Sequence, residues 1–307
     1  MVYMDSESIS EREKWQRLPF VEGDEKAELL LDLCNEALNR KSAAEALALA
    51  ETAQGIYEKS GAYVSSVDIA NAYQGIAHSL KKLDRDEEAI AVLGKAIEVL
   101  QEQHDPYADN LLRTRAIWCN QSADWESSLE SNLEAVRLNE IDGNQEWEAK
   151  SWVNTSITYK RMKKYREAIE CLLKARQLFK VLKMVPDAAK CDIELSENYL
   201  EAGDLENAYS AGTKALHVAQ LMQDRVMKAW VLLQLGKASK SKEDFRAADG
   251  ELEEAFMAAV ACQSNEMDWD LIVEIQSERA VLFRLTDREW LAARAEAQLE
   301  TVKEIIQ

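Results

Sequence analysis

The chain has 307 residues, 47% hydrophobic and 30% charged, which supplies ample material for a core and is not the composition of a disordered chain. Thirty-seven basic against 56 acidic residues give a formal net charge of −19, which opposes non-specific nucleic-acid binding and favours solubility. Three prolines and ten glycines are too few for many strands and long loops, so nearly all-helical structure with short turns is predicted.

Residues 1–25 read as a leader. The segment MVYMDSESISEREKW is acidic and lacks a positive start followed by an apolar run, so no secretory signal is expected. Ser8 or Ser10 is placed to cap a short helix through Trp15, ahead of Pro19 and Gly23. No stretch approaches the roughly 18 apolar residues of a membrane span, and a cytoplasmic setting is the expectation. Residues 26–307 read as one continuous helical domain. A first helix is predicted near Glu25–Asn39 and a second, Ala-rich one near Ser42–Lys59.

From Val64 the pattern becomes periodic. A small residue opens each second helix at Ala46, Ala89, Ser128, Ala168, Ala208 and Ala248, in steps of 43, 39, 40, 40 and 40 residues. Seven residues beyond each stands an alanine: Ala53, Ala96, Ala135, Ala175, Ala215 and Ala255. Two helical turns put both members of a pair on one face, where small side chains let helices cross closely. An apolar or aromatic residue (Trp125, Tyr165, Leu205, Phe245) sits three before the small one in four consecutive repeats. Pro106 and Pro186 fall where one repeat hands over to the next, at helix starts that need no N–H. A final pair is predicted near Met267–Leu285 and Asp287–Ile306, its last helix burying Ala292, Ala295, Leu299 and Val302.

The stretch Trp152–Phe179, WVNTSITYKRMKKYREAIECLLKARQLF, shows both halves of the pattern. It resembles a tetratricopeptide repeat, a helix–turn–helix with small residues at the crossing. The aromatic, Leu-Gly, Tyr half of the family pattern is only approximated, by Tyr73, Ile76, Ala77 and Leu80 and again by Leu232, Leu235 and Gly236. A step of about 40 departs from the family's usual 34, adding roughly 9 Å of helix per repeat. The long repeat is similar to the subclass found in kinesin light chains and peptide-sensing bacterial regulators. The resemblance implies an all-α fold, an α-α superhelix or right-handed solenoid of about seven antiparallel helix pairs.

Chemistry-bearing motifs are missing from the sequence. His78, His104 and His217 stand alone, without a second metal ligand at helical spacing. Cys34, Cys119, Cys171, Cys191 and Cys262 lie inside predicted helices beside apolar residues, as small core residues do. There is no GxGxxG, GxxxxGK[ST] or GxSxG. No catalytic activity, cofactor or metal is expected.

What remains is a binding surface. The first helices of such arrays line the inner face, which offers Gln74 and His78; Arg113, Ile117 and Asn120; Lys150, Asn154, Ile157 and Arg161; Lys190; and Lys237. The candidate contacts are His78, Arg113, Asn120, Lys150, Asn154, Arg161, Lys190 and Lys237, since Arg grips carboxylates bidentately and Asn bonds a peptide main chain. Between Lys150 and Lys183 ten Lys and Arg stand against two Glu, a local charge of +8 in a chain of −19. Trp147, Trp269 and Trp290 are further contact candidates or junction residues. The expected function is a scaffold holding a peptide or partner protein, with an acidic segment or C-terminal carboxylate docking across Arg113–Arg161. The alternatives are a regulator whose conformation a peptide changes, and an acidic decoy of a basic partner. Neither nucleic acid nor membrane is an expected partner.

Overall fold

A computed structural model describes residues 10–60, 64–261 and 268–306. They gather into two compact units, Met1–Gly143 and Asn144–Gln307. The sequence carries no linker at that boundary, only the turn Asp142-Gly143-Asn144.

The first unit opens with α1 (Glu11–Arg17), capped by Ser10, whose hydroxyl accepts the Glu13 N–H while the Glu13 carboxylate takes the Ser10 N–H at 2.9 Å. A 3₁₀ turn through Pro19 follows. Three helix pairs complete the unit: α2 (Gly23–Asn39) with α3 (Ala43–Ser60), α4 (Ser66–Lys82) with α5 (Asp86–Glu102), and α6 (Ala108–Gln121) with α7 (Trp125–Asp142). The second unit has four: α8 (Gln145–Arg161) with α9 (Tyr165–Val181), α10 (Val185–Glu201) with α11 (Leu205–Met222), α12 (Arg225–Ser241) with α13 (Phe245–Val260), and α14 (Trp269–Leu285) with α15 (Glu289–Ile306). The described residues contain no strand, and none of their helices is long and apolar enough to cross a membrane.

The small residues set the packing. All six residues of the first series and all six alanines of the second have 0% exposure. Serines at the crossings, Ser128 in the series and Ser196 on the facing helix α10, donate to a carbonyl across the pair. Ser128 Oγ donates to the Ala116 carbonyl at 3.0 Å, and Ser196 Oγ to the Ala208 carbonyl at 2.7 Å. Gly236 takes the principle furthest. A Cβ there would stand 2.7 Å from Leu252 Cγ, so α12 and α13 approach as closely as a bare backbone permits.

One device recurs in the turns. Lys41, Asp84, His104, Ala123, Lys163, Lys183, Gln223, Glu243 and Asp287 have φ between 54° and 62°, and Gly143 and Gly203 share the left-handed region. Such a residue lets the next N–H reach back to the last helical turn, as Lys164 N does to the Tyr159 carbonyl (2.9 Å) and Asp204 N to the Tyr199 carbonyl (2.8 Å). An aspartate often caps the next helix. Asp124, Asp204, Asp224, Asp244 and Asp268 each accept the N–H three residues on.

The last described helix buries Ala292 and Ala295, but Leu299 is half-buried instead of buried. Val302 lies outside the described side chains. Cys34, Cys119, Cys171 and Cys191 are buried free thiols, and Cys262 lies outside the described residues. Burial pushes Cys171 up to about 11 and Cys191 to about 12, so neither is a thiolate nucleophile at neutral pH.

Candidate functional site

In the second unit the first helices α8, α10 and α12 share a pocket of about 410 Å³. Val153, Phe179, Ile193 and Trp230 give it apolar walls, and the Trp230 indole N–H is held by Asp268 at 3.3 Å. Three residues expected on the inner face line it together: Lys150 and Asn154 from α8 and Lys190 from α10. Their common position follows from the 40-residue step, which puts residues 150, 190 and 230 at one register of successive first helices.

Two amides in this pocket are unused. Gln234 is 1% exposed, and its buried Oε1 has no hydrogen-bond partner. The side-chain amide of half-buried Asn154 likewise has none among the described residues. An unpaired buried amide costs about 1–3 kcal/mol, and an extended main chain carries the complementary N–H and C=O groups. Gln234 is absent from the sequence expectations, yet a signal was present: a lone amide inside Leu232-Leu233-Gln234-Leu235, whose leucines are all buried.

The pocket's charges are mixed. Lys150 Nζ pairs with Glu146 at 2.6 Å and stands 4.0 Å over the Trp147 ring. Lys190 is the freer cation, its side chain 67% exposed and 3.6 Å from Asp187. Glu194 and Glu197 also line the pocket, and both reach Lys160, at 3.4 and 2.6 Å. Burial lifts the Glu194 carboxyl above its usual range, against the pull of Lys160. Part of the +8 between Lys150 and Lys183 is thus structural. Lys160 is neutralised from α10, Arg176 binds Asp192 at 2.6 Å, and Lys174 covers the Trp152 ring at 3.9 Å.

The other candidates lie apart from this pocket. Arg161 is exposed at the end of α8, and Lys237 is ion-paired to Glu274 of α14. His78, Arg113 and Asn120 belong to the first unit. His78 packs edge-on to Trp118 at 5.1 Å, with Nδ1 2.9 Å from the Gln74 carbonyl oxygen. Arg113 is half-buried, with Nε 3.4 Å from Asp109, which also accepts from Asn139 at 2.7 Å. Asn120 is half-buried near the end of α6. Trp147 and Trp269 are half-buried, whereas Trp290 is 68% exposed. Among the described residues no group of three or more His, Cys, Asp or Glu is placed to hold a metal ion.

The tetratricopeptide repeat model matches residues 70–99 and 149–178, which span α4–α5 and α8–α9. No curated protein sequence matches the chain. Solved structures resemble it in fold. The signal transduction ATPase with numerous domains and a tetratricopeptide repeat sensor from Pyrococcus horikoshii matches at 16% identity, with TM-score 0.68 over 96% of this chain and 45% of that one. The chain therefore spans less than half of that ATPase. The apo form of RapI gives 14% identity and TM-score 0.68 over 96% of this chain and 79% of its own. NprR in complex with its cognate peptide NprX gives 17% identity and TM-score 0.53, over 93% and 85%.

Proposed function

We propose that the chain is a repeat protein of the tetratricopeptide type and a non-enzymatic scaffold, whose second unit holds a peptide, or a peptide-like segment of a partner protein, against α8, α10 and α12. The observation that carries this reading is the buried Gln234 Oε1, which has no hydrogen-bond partner, beside the half-buried Asn154 amide in a pocket with apolar walls. They bond the ligand's main chain, while Val153, Phe179 and Trp230 receive an apolar side chain. In this reading a carboxylate on the ligand takes Lys190 from Asp187 and competes with Glu146 for Lys150. That is the role left to the acidic or C-terminal segment expected of the partner.

A second reading, a regulator whose conformation the peptide changes, is favoured by the likeness to NprR, which has been solved with its cognate peptide. Hydrogen exchange with and without ligand separates the two, since protection that spreads beyond the pocket marks the regulator.

The test is affinity purification from the native host, with mass spectrometry of the bound peptide. Asn154→Ala and Gln234→Ala are each expected to weaken its binding about tenfold while the melting temperature stays near wild type. Lys190→Glu lowers affinity too, and raised salt weakens the wild-type complex in the same direction. A peptide retained at full affinity by both amide variants would rule this pocket out.

A further inference from the structure

The first unit contains a larger cavity of different chemistry, about 950 Å³, bounded by α1, α2, α3 and α4. Four carboxylates line it (Glu25, Glu28, Asp32 and Asp68) against two cations, Lys14 and Arg17. Both cations are committed: Lys14 binds Asp32 at 3.2 Å and Glu36 at 2.7 Å, and Arg17 binds Glu25 at 3.0 Å. Glu28 and Asp68 have no cation within ion-pairing distance among the described residues.

The second observation is Tyr57. It lines the cavity from α3, is 2% exposed, and its buried hydroxyl has no hydrogen-bond partner. Leaving such a group unpaired is costly, and buried hydroxyls normally find a partner. Burial first, then the charges of Asp68, Glu28 and Asp24, push this phenol up to about 12. The hydroxyl therefore stays protonated in a negative field, with its oxygen lone pairs available to an N–H donor.

We propose that this cavity is a separate binding site for a guanidinium or ammonium group. The Tyr57 oxygen accepts one N–H, and Glu28 and Asp68 balance the charge. The site stands on its own observations and does not depend on the peptide reading of the second unit. An apolar ligand would leave the phenol oxygen without a partner and the carboxylates without a counter-charge. An anion would be repelled by them.

Isothermal titration of the full chain tests this with three small probes: N-acetyl-arginine amide, agmatine, and the neutral isostere N-acetyl-citrulline amide. The cations are expected to bind and the citrulline probe not to. Tighter binding of the arginine amide identifies a polypeptide side chain as the natural source, and tighter binding of agmatine a free amine. Tyr57→Phe keeps the ring, and Glu28→Gln lies on an exposed position. Each is expected to weaken the cation about tenfold with an unchanged circular dichroism spectrum. Gln234→Ala, in the other pocket, should bind the cation as wild type does. Three results would each overturn the proposal: no binding of either cation, equal binding of the citrulline probe, or full affinity in the folded Tyr57→Phe, Glu28→Gln double variant.

Discussion

The two cavities rest on the same framework and have opposite chemistry. In the first unit the unused group is a phenol among excess carboxylates; in the second, two amides between apolar walls. Each is lined mainly by first helices. The crossing admits only small side chains. The cavity walls carry no such restriction, so the two units keep one kind of backbone and differ in wall chemistry by substitution alone.

The largest expected effects test whether the framework is shared. Ala96→Leu in α5 and Ala175→Leu in α9 should each overpack a crossing and cost about 1–3 kcal/mol in urea denaturation. Exposed Glu167→Leu should stay within about 0.5 kcal/mol. If the alanine variants matched Glu167→Leu, the common register would be wrong in both units.

Smaller effects are expected at the turns. Asp84→Gly in the first unit and Lys163→Gly in the second each relieve a left-handed residue carrying a Cβ. Each should gain about 0.5–1 kcal/mol, less than the full strain because glycine also loosens the unfolded chain. Gly203→Ala, at φ 80°, should lose about 1 kcal/mol. Equal signs for Lys163→Gly and Gly203→Ala would show that the turns are not equivalent.

The smallest effect is in pH dependence, with one group in each unit. Burial is the main force raising the Asp109 and Glu194 carboxyls above their ordinary values of 3.8 and 4.5. Just above those values the native state holds protons that the unfolded chain has released, so these groups lose stability as pH rises through the window. Ion-paired surface carboxylates behave oppositely. Melting curves between pH 4 and 7 should therefore show the difference between wild type and Asp109→Asn, or Glu194→Gln, changing with pH in that sense. A pH-independent difference in both variants would contradict the assignment.

The fold was legible because close crossings tolerate few residue types, so alanine and serine recur at fixed steps. The apolar or aromatic residue opening three of the four second helices of the second unit was legible too: Tyr165, Leu205 and Phe245 are the first residues of α9, α11 and α13. Charge was legible only as a local sum. Lys160 meets Glu194 and Glu197, Lys237 meets Glu274 and Lys240 meets Glu278, each about one repeat further along the chain. A window over Lys150–Lys183 counts the cations and omits their partners. Tyr57 escaped notice because an aromatic near the end of an alanine-rich helix reads as core. Its ring is buried, and only the missing partner of its hydroxyl marks it.

The recurring turn has a consequence for how the chain acquires its structure. The described reversals close through bonds spanning six residues or fewer, and several add a side-chain cap at the start of the next helix. A helix pair can thus form before anything distant in sequence has arrived, and the entropy of closing long loops is not met during the search. Folding within either unit is then expected to be fast for its length and to spread from whichever pair forms first. The same locality makes a forty-residue cassette, cut between equivalent left-handed residues such as Lys163 and Gly203, a natural module for duplication or deletion.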